Sequence, residues 1–588
     1  MKPLSEDTAG SDILGATRTS LWQITLLLLL ASVLAGCKEE SNTAPTLGDK
    51  VSASPIAFEN ATEAMAVDSV YQNGREAGLY AIVESLGGGV GIVDIDADDW
   101  PDIVFPGGGI LTATPNASIH GLPLNCWRNE RGGKMRDVTG PAAMDLSRRY
   151  SHGISAADFN NDGFQDFLVT GFGGVDLWMN TGDGTFLLQT SNNGLRDTAW
   201  SSSAGWGDLD RDGSLDLYIA HYTDWSLENN PDCPSASIKN EKDVCPPRRF
   251  DGLNDVVYQS QANDLFADTT EAWGLKPEGK GLGVLLADFD SDRDLDVYVA
   301  NDTTNNFLYL NDGDGHLQES GLLSGGAVDS EGRPNGSMGL DFFDFDHDQK
   351  GDLWVTNFEQ ESFGLYHNVG HGNFLHVSRN TGITSLGGLF VGFGTVARDF
   401  DSDGDHDIAV ANGHVIYYPN KAPFAQQSVL LENINHTSFQ RVTTSDNSFF
   451  SKAYVSRGLA AADLDRDGRM DLVFSQLNQP AQILLNKTPV ARKPIRIRLR
   501  GRRCNRDAIG AHVTLKTSRE TQSTYIIGGG SYLSTSEMEC EFSVPADDTD
   551  LVAEIQWPDG TKQQTQPSTA DTSIIVVQGQ PIQYLIPH

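Results

Sequence analysis

The sequence predicts an all-β protein: a seven-bladed β-propeller followed by a small C-terminal β-domain. Three observations carry this expectation. A nine-residue loop with Asp at positions 1, 5 and 9, and Asp or (once) Asn at position 3, recurs seven times, starting at Asp94, Asp158, Asp208, Asp288, Asp344, Asp399 and Asp463. Each loop runs straight into a short apolar segment, such as Ile103-Val104-Phe105 or Leu472-Val473-Phe474, which reads as a buried strand. Downstream of most loops an apolar run ends in a turn, as in Leu177-Trp178-Met179-Asn180 before Gly182-Asp183-Gly184, whose glycines supply the positive φ of a tight hairpin. A repeat of this length is one supersecondary unit stacked on its neighbours. Each unit reads as four short strands with the acidic loop between two inner ones. An array of β-sandwiches is the rival architecture.

The repeats span residues 55–490. The last one ends at Ile483-Leu484-Leu485-Asn486 and lacks an outer strand. The segment Ile56–Thr62 has the right character to supply it, so strands from both ends are expected to pair and remove an exposed edge. Before this region lies an apolar segment, Leu21–Leu34, shorter than the roughly 20 residues of a membrane span. It ends in Leu34-Ala35-Gly36-Cys37, which resembles a bacterial lipoprotein signal. That resemblance implies loss of residues 1–36, lipidation of Cys37 and export to the cell envelope. Lys38 after the cysteine implies the outer membrane. The leader departs from the pattern in being long and in carrying Glu6, Asp7 and Asp12. Residues 37–54 read as a flexible tether.

The longest step, from Asp208 to Asp288, holds a proline-rich insertion with Cys233 and Cys245. In an exported chain these two are expected to form a local disulfide. The other cysteines are Cys37, Cys126, Cys504 and Cys540, and no pair has the CxxC spacing of a zinc knuckle or thioredoxin-type site. After residue 490 the composition shifts. Ile495-Arg496-Ile497-Arg498-Leu499-Arg500 alternates strictly and reads as a strand with one basic face, either solvated or docked onto an acidic surface. Residues 491–588 form the small β-domain.

The loops supply the chemistry. The candidate ligands are Asp94, Asp96, Asp98 and Asp102; Asp158, Asn160, Asp162 and Asp166; Asp208, Asp210, Asp212 and Asp216; Asp288, Asp290, Asp292 and Asp296; Asp344, Asp346, Asp348 and Asp352; Asp399, Asp401, Asp403 and Asp407; and Asp463, Asp465, Asp467 and Asp471. Such hard oxygen donors around one point suit Ca²⁺, in up to seven sites. An EF-hand would need Glu at position 12, where this chain has apolar strand residues such as Phe105, Val169 and Phe474. Position 6 is glycine in four loops and Asp99, Arg293 or Gln349 in the others, where a side chain must tolerate positive φ. His221, His367, His371 and His414 read as structural. No HExxH, GxSxG, P-loop or dinucleotide fingerprint occurs, so no catalytic residue is assigned. With 80 acidic and 42 basic residues the formal charge is −38, which disfavours nucleic acid.

The repeats resemble the FG-GAP/VCBS calcium repeats of β-propellers. Three tail segments, Asn505–Ala511, Gly529-Gly530-Ser531-Tyr532-Leu533-Ser534 and Gln556-Trp557-Pro558-Asp559-Gly560, resemble the ASPIC/UnbV domain in order and spacing. Ala411-Asn412-Gly413-His414-Val415 also matches propellers with this tail. The region 55–588 thus resembles the CRTAC/ASPIC family. It departs at Glu541-Phe542-Ser543-Val544, and Cys504 and Cys540, which flank the tail motifs, could pair. The expected role is a calcium-binding, lipid-anchored binding, adhesion or scaffold module for a protein or glycan, built on a monomeric propeller. The alternatives are a propeller-based lyase or hydrolase, or an accessory factor in an envelope or biosynthetic assembly.

Overall fold

The computed structural model describes residues 54–584 except 114–116, 132, 191, 314, 445–447 and 569–572; the leader, Cys37 and the tether up to residue 53 lie outside the described residues. The described residues form one compact unit. Seven four-stranded antiparallel sheets form its larger part. Their inner strands are Gly91–Val93, Tyr150–Ala157, Ser201–Gly207, Gly281–Ala287, Leu340–Phe343, Gly392–Arg398 and Ser456–Ala462, numbered here as sheets 1 to 7. Each inner strand lies against the next, and that of sheet 7 lies against that of sheet 1, so the sheets form a propeller ring. Within each sheet the acidic loop joins the first strand to the second, which starts at the loop's ninth residue. The apolar runs fill the spaces between neighbouring sheets.

The two chain ends pair as expected. Phe58, Glu59 and Asn60 oppose Asn486, Leu485 and Leu484, and give sheet 7 its fourth strand.

A ring of side-chain hydrogen bonds joins the sheets. An asparagine stands at or within two residues of the end of the third strand in six of them. Asn180 Nδ2 donates to Ile95 C=O of the preceding loop at 3.0 Å, and Asn311, Asn368, Asn433, Asn486 and Asn129 do the same to Leu209, Phe289, Phe345, Phe400 and Leu464. Sheet 3 has Ser260 at the corresponding place, where its N–H donates to Asp216.

The tail folds as two four-stranded sheets, one containing Lys493–Arg500 between Cys540–Val544 and Ser573–Val577, the other centred on His512–Lys516 and Val552–Gln556. It docks on the face of the ring that carries the acidic loops. Arg496 and Arg498 are 3 % and 6 % exposed, so the basic strand face is a docking surface and not a solvated one. Arg496 pairs with Asp463 at 2.9 Å and Glu539 at 3.3 Å; Arg498 pairs with Glu539 at 2.5 Å and Glu537 at 3.2 Å. Burial works against ionisation of Glu539, yet Arg496, Arg498 and Arg466 hold its carboxyl well below the usual range. Such a network fixes orientation more than it adds stability, because desolvation offsets much of its Coulomb energy.

From this tail the segment Gly528–Glu537 enters the centre of the ring. Gly528–Gly529 adds a fifth strand to sheet 4. Gly530 N–H donates to Val284 C=O, and Ser531 exchanges backbone hydrogen bonds with Leu340. Ser531 Oγ accepts from Thr395 N–H and donates to Leu459 C=O. Leu533 C=O accepts from Ile154 N–H, and Thr535 C=O from Ile92 N–H. Gly528 packs on Trp206 C=O so closely that a Cβ there would lie 2.0 Å away. All seven inner strands therefore touch one segment of the tail. The chain reverses in the channel through positive φ at Gly529, Gly530, Ser531 and Leu533. Close approach also explains a glycine in the ring: a Cβ on Gly89 would lie 1.9 Å from Leu533 C=O.

The opposite end of the channel is capped. The disulfide between Cys233 and Cys245 (Cα–Cα 5.3 Å) ties the insertion of sheet 3. From it Asp243 accepts the N–H groups of Tyr417 and Tyr418, which lie in the long connection of sheet 6. An aromatic cluster of Tyr71, Trp200, Tyr222, Trp225, Phe393 and Tyr532 seals the space beneath. Within it Trp200 Nε1–H donates to His152 Nε2 at 2.8 Å. Cys504 and Cys540 do not pair; both are buried free thiols. Cys540 pairs with Ile497 within the strand Lys493–Arg500, whereas Cys504 lies beyond that strand's end, so the two cannot meet.

Two predictions follow from these contacts. Asn486→Ala leaves Phe400 C=O without its donor and should cost about 1–3 kcal/mol, read as a lower urea midpoint with an unchanged slope; an unchanged midpoint would refute the latch. Burial pushes the His152 imidazole down to about 3. Its neutral form is the folded form, so this stability is complete above pH 6.5 and is lost as pH falls toward 3. Between pH 7 and pH 5 the loss should be about 2 kcal/mol, and His152→Leu should lack that part of the pH dependence. Parallel profiles for the two proteins would show that His152 is not the source.

Candidate metal centres and cap pocket

The seven loops share one geometry. Position 6 has positive φ in every loop, including Asp99, Arg293 and Gln349, at 65°, 85° and 67°. Position 4 does too, at Ala97, Asn161, Arg211, Ser291, His347, Ser402 and Arg466, a regularity that no sequence pattern announced. The position 1 carboxylate caps the turn: Asp399 accepts from Asp403 and Gly404 N–H, and Asp463 from Asp467 and Gly468 N–H. The ninth residue is a backbone staple. Asp407 accepts from Phe400 N–H at 3.1 Å and Asn433 N–H at 2.9 Å, and Asp102, Asp216, Asp296, Asp352 and Asp471 repeat the pattern. Asp166 keeps its link to Asn180 N–H at 2.7 Å.

The expected ligands do converge. Carboxylate oxygens of Asp94, Asp96 and Asp102, of Asp208, Asp210 and Asp212, and of Asp288, Asp290 and Asp296 lie within 4.8 Å of one another. Several buried oxygens have no hydrogen-bond donor: Oδ1 of Asp96, Asp208, Asp344, Asp401 and Asp465, and Oδ2 of Asp166. A buried carboxylate oxygen without a donor carries the full desolvation cost. Burial, with neighbouring carboxylates adding to it, pushes Asp208 and Asp288 up to about 7 and Asp401 up to about 8. A bound cation would relieve both problems. This donor set fits a hard divalent ion.

The loops are not equivalent. In the loop at Asp463 protein cations already compensate the charge, with Arg496 on Asp463 and Lys487 on Asp465 at 2.8 Å. Arg128 lies 3.5 Å from Asp96 and Arg131 3.1 Å from Asp98 in the first loop. Among the described residues no ion pair reaches the ligand positions of the loops at Asp158, Asp208, Asp288 and Asp399. These four have the strongest electrostatic need for a cation. The loop at Asp344 is different again. His367 Nδ1 stands 3.1 Å from Asp352, with which it hydrogen-bonds, and 3.4 Å from Asp346, inside the cluster. His221 and His414 are buried beside Asp197 and Glu359.

Sequence reasoning missed a second concavity, on the capped face. Its walls are Arg75, Gly78, Tyr80, Glu84, Tyr417, Tyr418 and Phe424, around about 150 Å³. The Arg75 guanidinium sits 4.8 Å over the Tyr417 ring, a cation–π contact. Tyr417 OH donates to Glu84 at 2.7 Å. Burial pushes Glu84 up to about 7, but it is 1 % exposed and lies beneath the aromatic wall. They come from two short segments, 75–84 and 417–424, that are far apart in sequence and meet only through the cap.

Two substitutions in one loop separate the roles of its carboxylates. Asp401→Asn should leave the chelated protein as stable as the parent, since Asp401 Oδ1 has no donor to lose. Asp407→Asn should cost about 1–3 kcal/mol with or without metal, because an amide cannot accept both backbone N–H groups. Equal effects in chelator would contradict this division.

Family models agree with this architecture. One described as ASPIC and UnbV matches residues 501–583. One described as FG-GAP-like repeat matches 158–219, 288–355 and 399–474. Cartilage acidic protein 1 of Xenopus tropicalis is 25 % identical over 511 residues, covering 80 % of this chain and 70 % of that protein. The Mus musculus protein is 24 % identical over 512 residues, with 80 % and 70 % covered. Among solved structures, an Agrocybe aegerita protein described as specifically recognising non-reducing terminal N-acetylglucosamine aligns at a TM-score of 0.39 and 14 % identity, covering 68 % of this chain and 94 % of that one. The chain is thus a propeller with FG-GAP-like repeats and a C-terminal ASPIC and UnbV domain, similar to cartilage acidic protein 1 over 80 % of its length.

Proposed function

We propose that this protein is a Ca²⁺-stiffened binding or scaffold module, carried outside the cytoplasm on a lipidated Cys37, that presents its capped face to a glycan or protein. One observation carries the reading. The channel through the ring, where a propeller most readily encloses a small substrate, is filled by the chain's own residues 528–537. What remains for a partner is external. The capped face offers an arginine on aromatic rings, chemistry that stacks against sugar rings or holds an apolar side chain. The net charge of −38 favours a neutral or cationic ligand over a polyanion. The one carboxyl in this pocket with a raised pKa, Glu84, is covered by Tyr417 and unavailable to a substrate, which favours binding over catalysis.

Calcium enters as the ion that best matches oxygen-only donors at the loops. Each occupied loop at 100 times its Kd adds about 2.7 kcal/mol to the native state. A chelator should therefore lower the melting midpoint by several degrees, and calcium should restore it. A glycan array probed with the calcium-loaded protein should give ligands that Arg75→Ala and Tyr80→Ala lose while melting unchanged. The proposal fails if metal analysis finds no calcium and the midpoint ignores chelator. It fails equally if an array polysaccharide is cleaved instead of held.

A further inference from the structure

We infer that His347, Asp405 and His436 form a transition-metal site of zinc type that staples sheet 5 to sheet 6. His347 is position 4 of the loop at Asp344, Asp405 is position 7 of the loop at Asp399, and His436 sits in the hairpin between Val429–Ile434 and Ser438–Arg441. The corresponding positions of sheets 3 and 4 hold a salt bridge, Arg211 to Asp294 at 2.7 Å. Between sheets 5 and 6 the guanidinium is replaced by an imidazole, and a second imidazole joins it.

The ligating atoms of the three residues lie within 4.8 Å of one another. His347 Nε2 is 3.8 Å from Asp405 Oδ1, and His436 Nδ1 is 2.5 Å from the same oxygen. The imidazole centroids are 3.9 Å apart. Two ligands each about 2.1 Å from a tetrahedral ion stand about 3.4 Å apart, within the span of these separations. Asp405 is 3 % exposed, and its Oδ2 is fixed by the backbone N–H of His436 at 3.2 Å. Its Oδ1 points between the imidazoles. Despite the short separation, neither Asp405 Oδ1 nor His436 Nδ1 has a hydrogen-bond partner. Two imidazole nitrogens and a carboxylate oxygen directed at one point form a donor set that an ion can bridge.

The nearby carboxylate of Glu520 is engaged by Arg492 at 2.5 Å and 3.1 Å, so it does not complete the set. Two nitrogens and one oxygen distinguish the site from the carboxylate loops, of which only that at Asp344 has an imidazole beside it, since imidazole suits zinc, copper or nickel and not calcium. Three protein ligands leave a fourth position for water or a partner's donor atom.

The full chain, held in millimolar calcium to satisfy the loops, would be given one equivalent of zinc chloride, dialysed and assayed for metal. The parent should retain one zinc per chain. His436→Ala should retain none, and neither should His347→Asn, a residue that tolerates the left-handed backbone at this position (φ 62°). The calcium-dependent melting midpoint should be the same in all three, which separates loss of the site from misfolding. Absence of zinc from the parent, equal retention by the variants, or displacement of zinc by tenfold more calcium would overturn the assignment.

Discussion

The constraint on which the structure depends is the unpaired edge of the inner strands. In a ring of sheets the first strand of each sheet has one partner, and its other edge faces the channel. Buried N–H and C=O groups on that edge need partners. Residues 528–537 supply many of them, with backbone or serine and threonine hydrogen bonds to six sheets and close packing on the remaining one. The tail is thus part of the propeller's core. Its motif Gly529–Ser534 is explained by this geometry: glycines where the backbone reverses, a serine that both accepts and donates, and Tyr532 fully buried against Phe393.

A second constraint is the acidity of the loop face. The carboxylates divide their work. Position 1 closes the turn, position 9 ties the loop to the third strand, and position 3 has in three loops an oxygen with no protein partner. The chain balances the charge in two ways. The loop at Asp463 receives Arg496 from the docked tail and Lys487 from its own sheet, whereas the loops at Asp208 and Asp399 receive no cation among the described residues. The electrostatics of one face therefore tie charge compensation in the loop at Asp463 to docking of the tail.

Much of the fold was legible in the sequence because its determinants are local. A loop of fixed spacing followed by an apolar strand reports its own period, and Asp99, Arg293 and Gln349 at a glycine position correctly marked positive φ. The pairing of Phe58–Asn60 with Leu484–Asn486 was also readable, since an incomplete last repeat needs a partner from the other end. The candidate site was less legible. The pattern named candidate ligands but could not say which loops already hold a protein cation, because Arg496 and Arg128 arrive from outside the motif.

The sequence by itself determined the repeat, the loop carboxylates, the tail motifs and the strand that closes the ring. All of these follow from residue spacing along a few tens of residues. Only the tertiary structure decided that the basic strand faces inward, that Cys504 and Cys540 remain apart, and that the channel is occupied. It alone brought Arg75 over Tyr417, and His436 to Asp405. These outcomes depend on how the sheets and tail pack, and burial, charge compensation and shape set that packing across hundreds of residues of chain.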